Sequence, residues 1–360
     1  MSSEIGNHLK LSIFGESHGS AVGAVLDGLP AGEAIDLAEL SAFMQRRAGG
    51  KTMTTPRREA DEPVFLSGVK NQRTTGAPLA LILENKNVRS GDYDALAGKP
   101  RPSHADYPAH VKYGGFEDRS GGGHFSGRLT APLCAAGGIC KQILARKGIL
   151  IGAHVASIGA VSDDRWDPVN VTADDLLSPL TRPIPTLNAT ACEQMLEEIA
   201  AAAKDGDSVG GIVECAAIGL PAGLGDPLFD GMENRISAAI FGIGAVRGIE
   251  FGTGFAAASM RASKHNDAWR LKNGTVCTET NHHGGVLGGI TTGMPLIFRT
   301  AFKATPSISR EQKTVDLNTM TETTIAIQGR HDPCIVPRAV PCVEAALAFV
   351  LLDAVCEAKQ

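Results

Sequence analysis

Apolar and polar positions along the 360-residue chain run through one succession twice. Each half reads as a strand, a turn, a second strand ending at Gly-Leu-Pro-Ala-Gly, a helix, further strands and a closing apolar helix. The first helix is expected to begin near Asp36, whose carboxylate can cap it while Glu39 completes a capping box. Its counterpart is expected at Asp226-Pro227, a cap followed by a first-turn proline. Closing helices are expected over about 131–146 and 341–357, and the proline-rich stretch 163–186 reads as a loop.

Particular residues repeat as well. Gly15-Glu16-Ser17-His18-Gly19 is followed after eight residues by Gly28-Leu29-Pro30-Ala31-Gly32, and Gly206-Asp207-Ser208-Val209-Gly210 after eight by Gly219-Leu220-Pro221-Ala222-Gly223. Thr74-Thr75-Gly76-Ala77-Pro78-Leu79 recurs as Thr291-Thr292-Gly293-Met294-Pro295-Leu296, with Lys86 and Lys303 at the same distance beyond. Two blocks in the same order imply an internal duplication, with halves at about 8–155 and 205–358 joined by a loop over 160–187. The expected body is a single α+β domain of two or three layers with approximate twofold internal symmetry.

Composition narrows the function. A formal charge of −5 argues against a nucleic-acid partner. The uncharged window 280–298 carries two histidines, a proline and five glycines, which does not suit a membrane helix, and the N-terminus has no basic stretch of a secretion signal. Eight cysteines without a CxxC pair read as reduced thiols packed in the core of a cytoplasmic protein, with no zinc site.

Charge is unevenly placed. Arg46, Arg47, Lys51, Arg57 and Arg58 form one basic cluster, residues 101–128 a second around Gly121-Gly122-Gly123, and Arg330, His331 and Arg338 a third. A basic cluster can be only a solvated face, but three glycine-punctuated ones suit a pocket for a multiply anionic small molecule, bound by backbone amides and guanidinium forks. Gly50-Lys51-Thr52 lacks the earlier glycine of a Walker A loop, because position 45 is Gln45. Gly15 to Gly19 satisfies the G-x-S-x-G form of a serine hydrolase, yet a strand-like run follows it and the form recurs at 206–210, so a structural turn explains both copies better. His18 is not repeated, since Val209 replaces it, and is the better functional candidate. His104, which Asp106 could orient, and Asp332, in a turn before a proline, complete a set of acid and base groups beside the arginines. The residues by themselves point to an enzyme acting on a small phosphorylated or polycarboxylate substrate.

Six blocks resemble signatures of the chorismate synthase family, in order along nearly the whole chain: 15–19, Arg101-Pro102-Ser103-His104-Ala105-Asp106, 206–211, 281–293, Lys303-Ala304-Thr305-Pro306-Ser307-Ile308 and Gly329-Arg330-His331-Asp332-Pro333-Cys334. The resemblance implies a β-α-β sandwich, a homotetramer, and conversion of 5-enolpyruvylshikimate 3-phosphate to chorismate and phosphate with reduced FMN and no net oxidation. It implies catalytic roles for His18, His104 and Asp332, and substrate binding by Arg46, Arg47, Arg128 and Arg338. Flavin contacts are implied for Ser126, His124, Phe125, Gly244, Ala245, Gly288, Lys303, Ala304, Thr305, Pro306, Ser307 and Arg330. With no reductase domain implied, a separate flavin reductase would supply the reduced cofactor, and NADPH would enter only as the source of reducing power. The chain departs from the usual family pattern where His124 and Phe125 replace an arginine and a serine, where Ser103 replaces glycine, where Ala304 replaces proline, and at Thr52. A divergent member with another anionic substrate, or a flavin- or phosphate-binding protein without this activity, are the alternatives.

Overall fold

Strand formation follows the apolar runs that precede and follow the repeated glycine blocks. The computed structural model describes residues 3–49, 61–86, 98–327 and 332–358. Among them, one antiparallel sheet contains β1 (Glu4–Ile5), β2 (Lys10–Gly15), β3 (Ala21–Asp27), β4 (Val64–Ser67) and β7 (Leu79–Glu84), in the order β1-β2-β3-β7-β4. A second contains β8 (Leu150–Ile158), β9 (Val161–Ser162), β10 (Gly211–Ile218), β11 (Val246–Phe251) and β16 (Leu296–Phe302), in the order β11-β16-β10-β8-β9. Short ribbons pair β5 (Val69–Lys70) with β6 (Arg73–Thr74), β12 (Trp269–Lys272) with β13 (Thr275–Thr278), β14 (Val286–Leu287) with β15 (Ile290–Thr291), and β17 (Gln312–Asp316) with β18 (Thr321–Ile325).

The repeated blocks do the same work in both sheets. Gly32 N–H donates to the Thr74 carbonyl at 2.8 Å, and Gly223 N–H to the Thr291 carbonyl at 2.9 Å. The Thr74 hydroxyl donates to the Pro30 carbonyl at 2.6 Å, and the Thr291 hydroxyl to the Pro221 carbonyl at 2.8 Å. Each threonine thus closes the polar groups of a turn that leaves a buried strand, where an unpaired group would be costly. The boundary of the second unit lies earlier than the sequence placed it: β8 pairs with β10, so a division at 155 would cut a strand of the second sheet.

Two apolar helices lie between the sheets. Helix α3 (Thr130–Arg146) packs on β2, β3 and β7, and α8 (Val336–Glu357) packs on α3, β8 and β10. With α1 (Leu37–Arg47) and α6 (Met232–Phe241) against them, the layers form a β-α-β sandwich around one continuous apolar core. Helix α8 is apolar enough to cross a membrane by composition, but it is buried throughout by its neighbours. Its two buried acids are satisfied: Glu344 pairs with Arg46 and Lys141, and Asp353 accepts the N–H groups of Asn7, His8 and Leu9. Gly137 lets α3 and α8 meet closely, since a Cβ there would stand 2.4 Å from the Ala345 carbonyl oxygen.

Several element boundaries differ from the sequence reading. Asp36 caps α1 through Ala38 N–H and Glu39 N–H, but its own N–H goes to Gln142 Oε1 at 2.9 Å, which takes the place expected for Glu39 and ties α1 to α3. Asp226 does not cap α6. Arg235 holds its carboxylate at 3.0 Å, a short turn intervenes, and the helix begins at Met232 after Gly231. Helix α8 starts at Val336 and runs through Pro341, whose missing N–H is tolerated inside a helix packed on every side. The stretch 163–186 contains a helix, α4 (Ala173–Leu177), set by a Thr172–Asp175 capping box. Helix α5 (Ala189–Lys204) follows, capped by Asn188, with Ala191, Cys192, Met195 and Ile199 on its buried stripe.

Candidate active site

The loops that lead into α3 and α8 converge on a cavity of about 480 Å³. Residues 121–130 contribute one wall and Asp332 to Cys342 another, while residues 47–49, 101–105, 243–245 and 302–307 with Asp61 close the remainder. The glycine loop is built for this position. Gly121, Gly122 and Gly123 all have positive φ, and a Cβ at Gly121 would lie 2.1 Å from the His18 ring.

His104 stands on the cavity wall, with Nδ1 2.6 Å from Asp106 Oδ1. Arg101 grips Asp106 through Nε at 2.7 Å, Nη2 at 2.8 Å and its backbone N–H at 2.9 Å. Burial would raise the Asp106 pKa, but hydrogen bonds from Arg101 and His104 outweigh it and hold the carboxyl well below the usual range. The ionised carboxylate orients the imidazole through Nδ1, and Arg101 Nη2 stands 3.0 Å from Nδ1 and 3.2 Å from Nε2, so the ring is held on the cavity wall by both partners. Ser103 sustains this loop at φ 60°, a conformation that a glycine would adopt without strain.

The arginines are preloaded with internal carboxylates. Arg47 and Arg128 both pair with Asp61, whose side chain has no exposed surface. Burial raises the Asp61 pKa, but the two guanidinium charges overcome it and hold the carboxyl down. Arg128 also donates to Asn85 Oδ1 at 2.8 Å. Arg338 pairs with Asp332 and donates to the Arg47 carbonyl at 2.8 Å. Asp61 escaped the sequence reading; its one signal is its place among the acids that end the long basic run.

The structure gathers most of the expected residues and relocates others. His104, Asp332, Arg47, Arg128, Arg338, Phe125, Ser126, Gly244, Ala245, Lys303, Thr305, Pro306 and Ser307 line the cavity. His18 does not: it sits behind Gly121, because the glycine has no side chain to hold it away. Arg46 turns from the cavity to Glu344, drawn by a buried carboxylate and by the Phe43 ring 5.4 Å beneath its guanidinium. His124 also points elsewhere, with Nδ1 2.9 Å from the Gly15 carbonyl oxygen and Nε2 2.9 Å from Ser3 Oγ, so it fastens the glycine loop to β2. Gly288 belongs to the β14–β15 turn, and neither it nor Ala304 lines the cavity. Arg330, His331, Lys51, Thr52, Arg57 and Arg58 lie outside the described residues.

A sequence model of chorismate synthase matches residues 9–356. The chain belongs to the chorismate synthase family. It is 50% identical over 348 residues to the chorismate synthase of Thermococcus kodakarensis, spanning 97% of this chain and 96% of that one. The chorismate synthase of Dehalococcoides mccartyi is 46% identical over 354 residues, covering 98% and 96% of the two chains. A crystal structure of chorismate synthase superposes with a TM-score of 0.77 at 28% identity, covering 98% of this chain and 93% of that one. Chorismate synthases are lyases of the shikimate pathway, which leads to aromatic compounds.

The family implies a flavin, and the cavity residues fit one. Thr305 Oγ1 is buried without a hydrogen-bond partner among the described residues. A Cβ at Gly244 or Gly127 would meet nothing within 4 Å, so backbone faces open space at both places. Burial and the nearby Arg247 charge hold the Lys303 amine below its usual pKa, and Phe125 presents an aromatic surface at the cavity. An unpaired hydroxyl, open backbone, a cation and a ring face suit a planar, phosphorylated cofactor.

Proposed function

We propose that this protein catalyses the anti-1,4-elimination of phosphate from 5-enolpyruvylshikimate 3-phosphate to give chorismate, with reduced FMN as cofactor. The observation that carries this reading is the convergence of Arg47, Arg128, Arg338, His104 and Asp332 on one cavity in a chain of this family. Arg47 and Arg128, balanced by Asp61, and Arg338, balanced by Asp332, are guanidinium forks able to take a substrate phosphate and carboxylates. His104, oriented through Nδ1 by Asp106, donates a proton to the departing phosphate. Asp332 provides the carboxylate that helps accept the proton lost from C6. His18, behind Gly121, is a positioning residue that sets the glycine loop. Ser126, Phe125, Gly244, Ala245, Lys303, Thr305, Pro306 and Ser307 would hold the flavin. Held by these residues, the reduced flavin would supply electron density to the allylic system, so that no net oxidation is needed.

The same reading extends to the protein's setting. We propose a cytoplasmic homotetramer, supported by the family and by exposed Leu228, Phe229 and Phe255, apolar surface that subunit contacts would cover. A separate reductase, drawing on NADPH, supplies the reduced flavin. The matching Thr74 and Thr291 turns support descent of the two units from one ancestral copy.

The test is anaerobic. Purified protein with photoreduced FMN and 5-enolpyruvylshikimate 3-phosphate is expected to release chorismate and phosphate in equal amounts, and none with oxidised FMN. Absence of product while flavin binding is confirmed separately would overturn the reading in favour of another anionic substrate.

A further inference from the structure

Cys342 of α8 lies on the cavity wall, and its Sγ is 3.7 Å from Sγ of Cys134 in α3. Both thiols are reduced in this structure. The distance is imposed by the fold, because Gly137 and Ala345, each three residues further along, bring the two helices into close contact. A disulfide requires the sulfurs to close to about 2.05 Å, a movement that side-chain rotation on two adjacent helices can supply. The two thiols are chemically unequal. A hydrogen bond from Cys134 and the charges of Arg47 and Arg338 pull the Cys342 pKa down, whereas burial pushes the Cys134 thiol up. An acidic thiol open to a cavity beside a protonated neighbour is the arrangement of an attacking and a resolving cysteine. Cys140 and Cys356 also neighbour each other on these helices, but neither lines the cavity.

We propose that Cys342 and Cys134 form an oxidant-sensitive pair, in which Cys342 reacts with hydrogen peroxide entering the substrate cavity and Cys134 resolves the product to a disulfide. The Cys342 thiolate attacks one peroxide oxygen, the O–O bond breaks, and the sulfur becomes a sulfenic acid as hydroxide leaves. Cys134 sulfur then displaces the sulfenic oxygen and gives up its proton, so two thiols are oxidised and one peroxide is reduced to two waters. The consequence is local: a disulfide replaces two thiols, one of them beside Arg47 and Arg338, two of the proposed anion-binding groups.

Full-length protein is treated with hydrogen peroxide, denatured, alkylated and weighed intact, then digested without reductant. The expected result is loss of two alkylatable thiols, a mass lower by about 2 Da before alkylation, and a 134–342 cross-linked peptide that dithiothreitol releases. In Cys134→Ser, dimedone is expected to label Cys342; in Cys342→Ser, Cys134 is expected to stay reduced. The proposal fails if Cys134 and Cys342 both remain alkylatable at a peroxide level that oxidises the half-exposed Cys277, if the cross-link joins 140 to 356, or if Cys134 is consumed equally in Cys342→Ser.

Discussion

The turns at 15–19 and 206–210 occupy equivalent places in the two sheets and differ in use. Both hold the loop that precedes their own closing helix: Ser17 N–H donates to the Gly123 carbonyl at 3.1 Å, and Val209 N–H to the Pro333 carbonyl at 2.8 Å. Their side chains differ in task. Ser208 Oγ donates to the Thr305 carbonyl at 2.7 Å and steadies the 303–307 wall, while Val209 packs on the core. Ser17 Oγ is buried without a partner among the described residues, and His18 presses on Gly121. Equivalent turns therefore deliver two loops to one cavity, and they differ in the side chains they place beside it.

The largest expected effect tests that asymmetry. His104→Ala should lower turnover by about 10²- to 10⁴-fold with unchanged circular dichroism. His18→Val, which makes the first turn like the second, should lower kcat more than it raises KM, whereas Val209→His should leave kcat unaltered. Full activity in His18→Val would remove His18 from the site altogether.

Next in size is the contrast between neighbouring arginines on α1. Glu344→Ala leaves Arg46 and Lys141 facing an empty buried position and should cost about 3–5 kcal/mol in urea unfolding. Arg46→Ala should also destabilise the fold yet spare KM, while Arg47→Ala should raise KM. Equal KM values for the two arginine variants would show that the cavity boundary is misplaced.

Two sets of buried groups should also answer pH in opposite directions. Asp61 and Asp106 have lowered folded pKa values, so their stabilisation is complete above about pH 4 and is lost as acid carries the solution down through those values. His154 in β8 is enclosed by Asp163 at 3.2 Å and Glu214 at 3.0 Å. Burial lowers its pKa, but those hydrogen bonds and charges prevail and raise it. Its stabilisation is therefore full below about pH 6.5 and is lost as pH rises through the raised value. Thermal melting against pH should lose its acid slope in part in Asp61→Asn and its alkaline slope in His154→Gln. An unchanged alkaline limb in His154→Gln would assign that slope to other groups.

The smallest effect compares the serines. Ser208→Ala should cost about 1 kcal/mol, the worth of its hydrogen bond, and Ser17→Ala close to none. Chemical denaturation of the two variants reads the difference directly.

Much of this architecture is legible before folding. Repeated glycine blocks mark the turns, apolar runs mark the strands and the α3 and α8 cores, and the Asp36 cap marks α1, because each depends on neighbours close in the chain. The Asp226 cap failed because an arginine nine residues away competed for its carboxylate, and the 155 boundary failed because strand pairing is a long-range choice. His104 with Asp106 could be read from a spacing of two residues.

The amino-acid sequence alone determined the family, the two-unit pattern and the identities of the charged groups. Tertiary structure decided which of those charges face the cavity: Arg47 and Arg128 meet at Asp61, Arg46 is claimed by Glu344 across 298 residues, and His124 is withdrawn to Gly15. The physical reason is that a guanidinium or imidazole goes to the buried partner with the best-placed lone pairs, and only packing of distant helices and strands creates that partner.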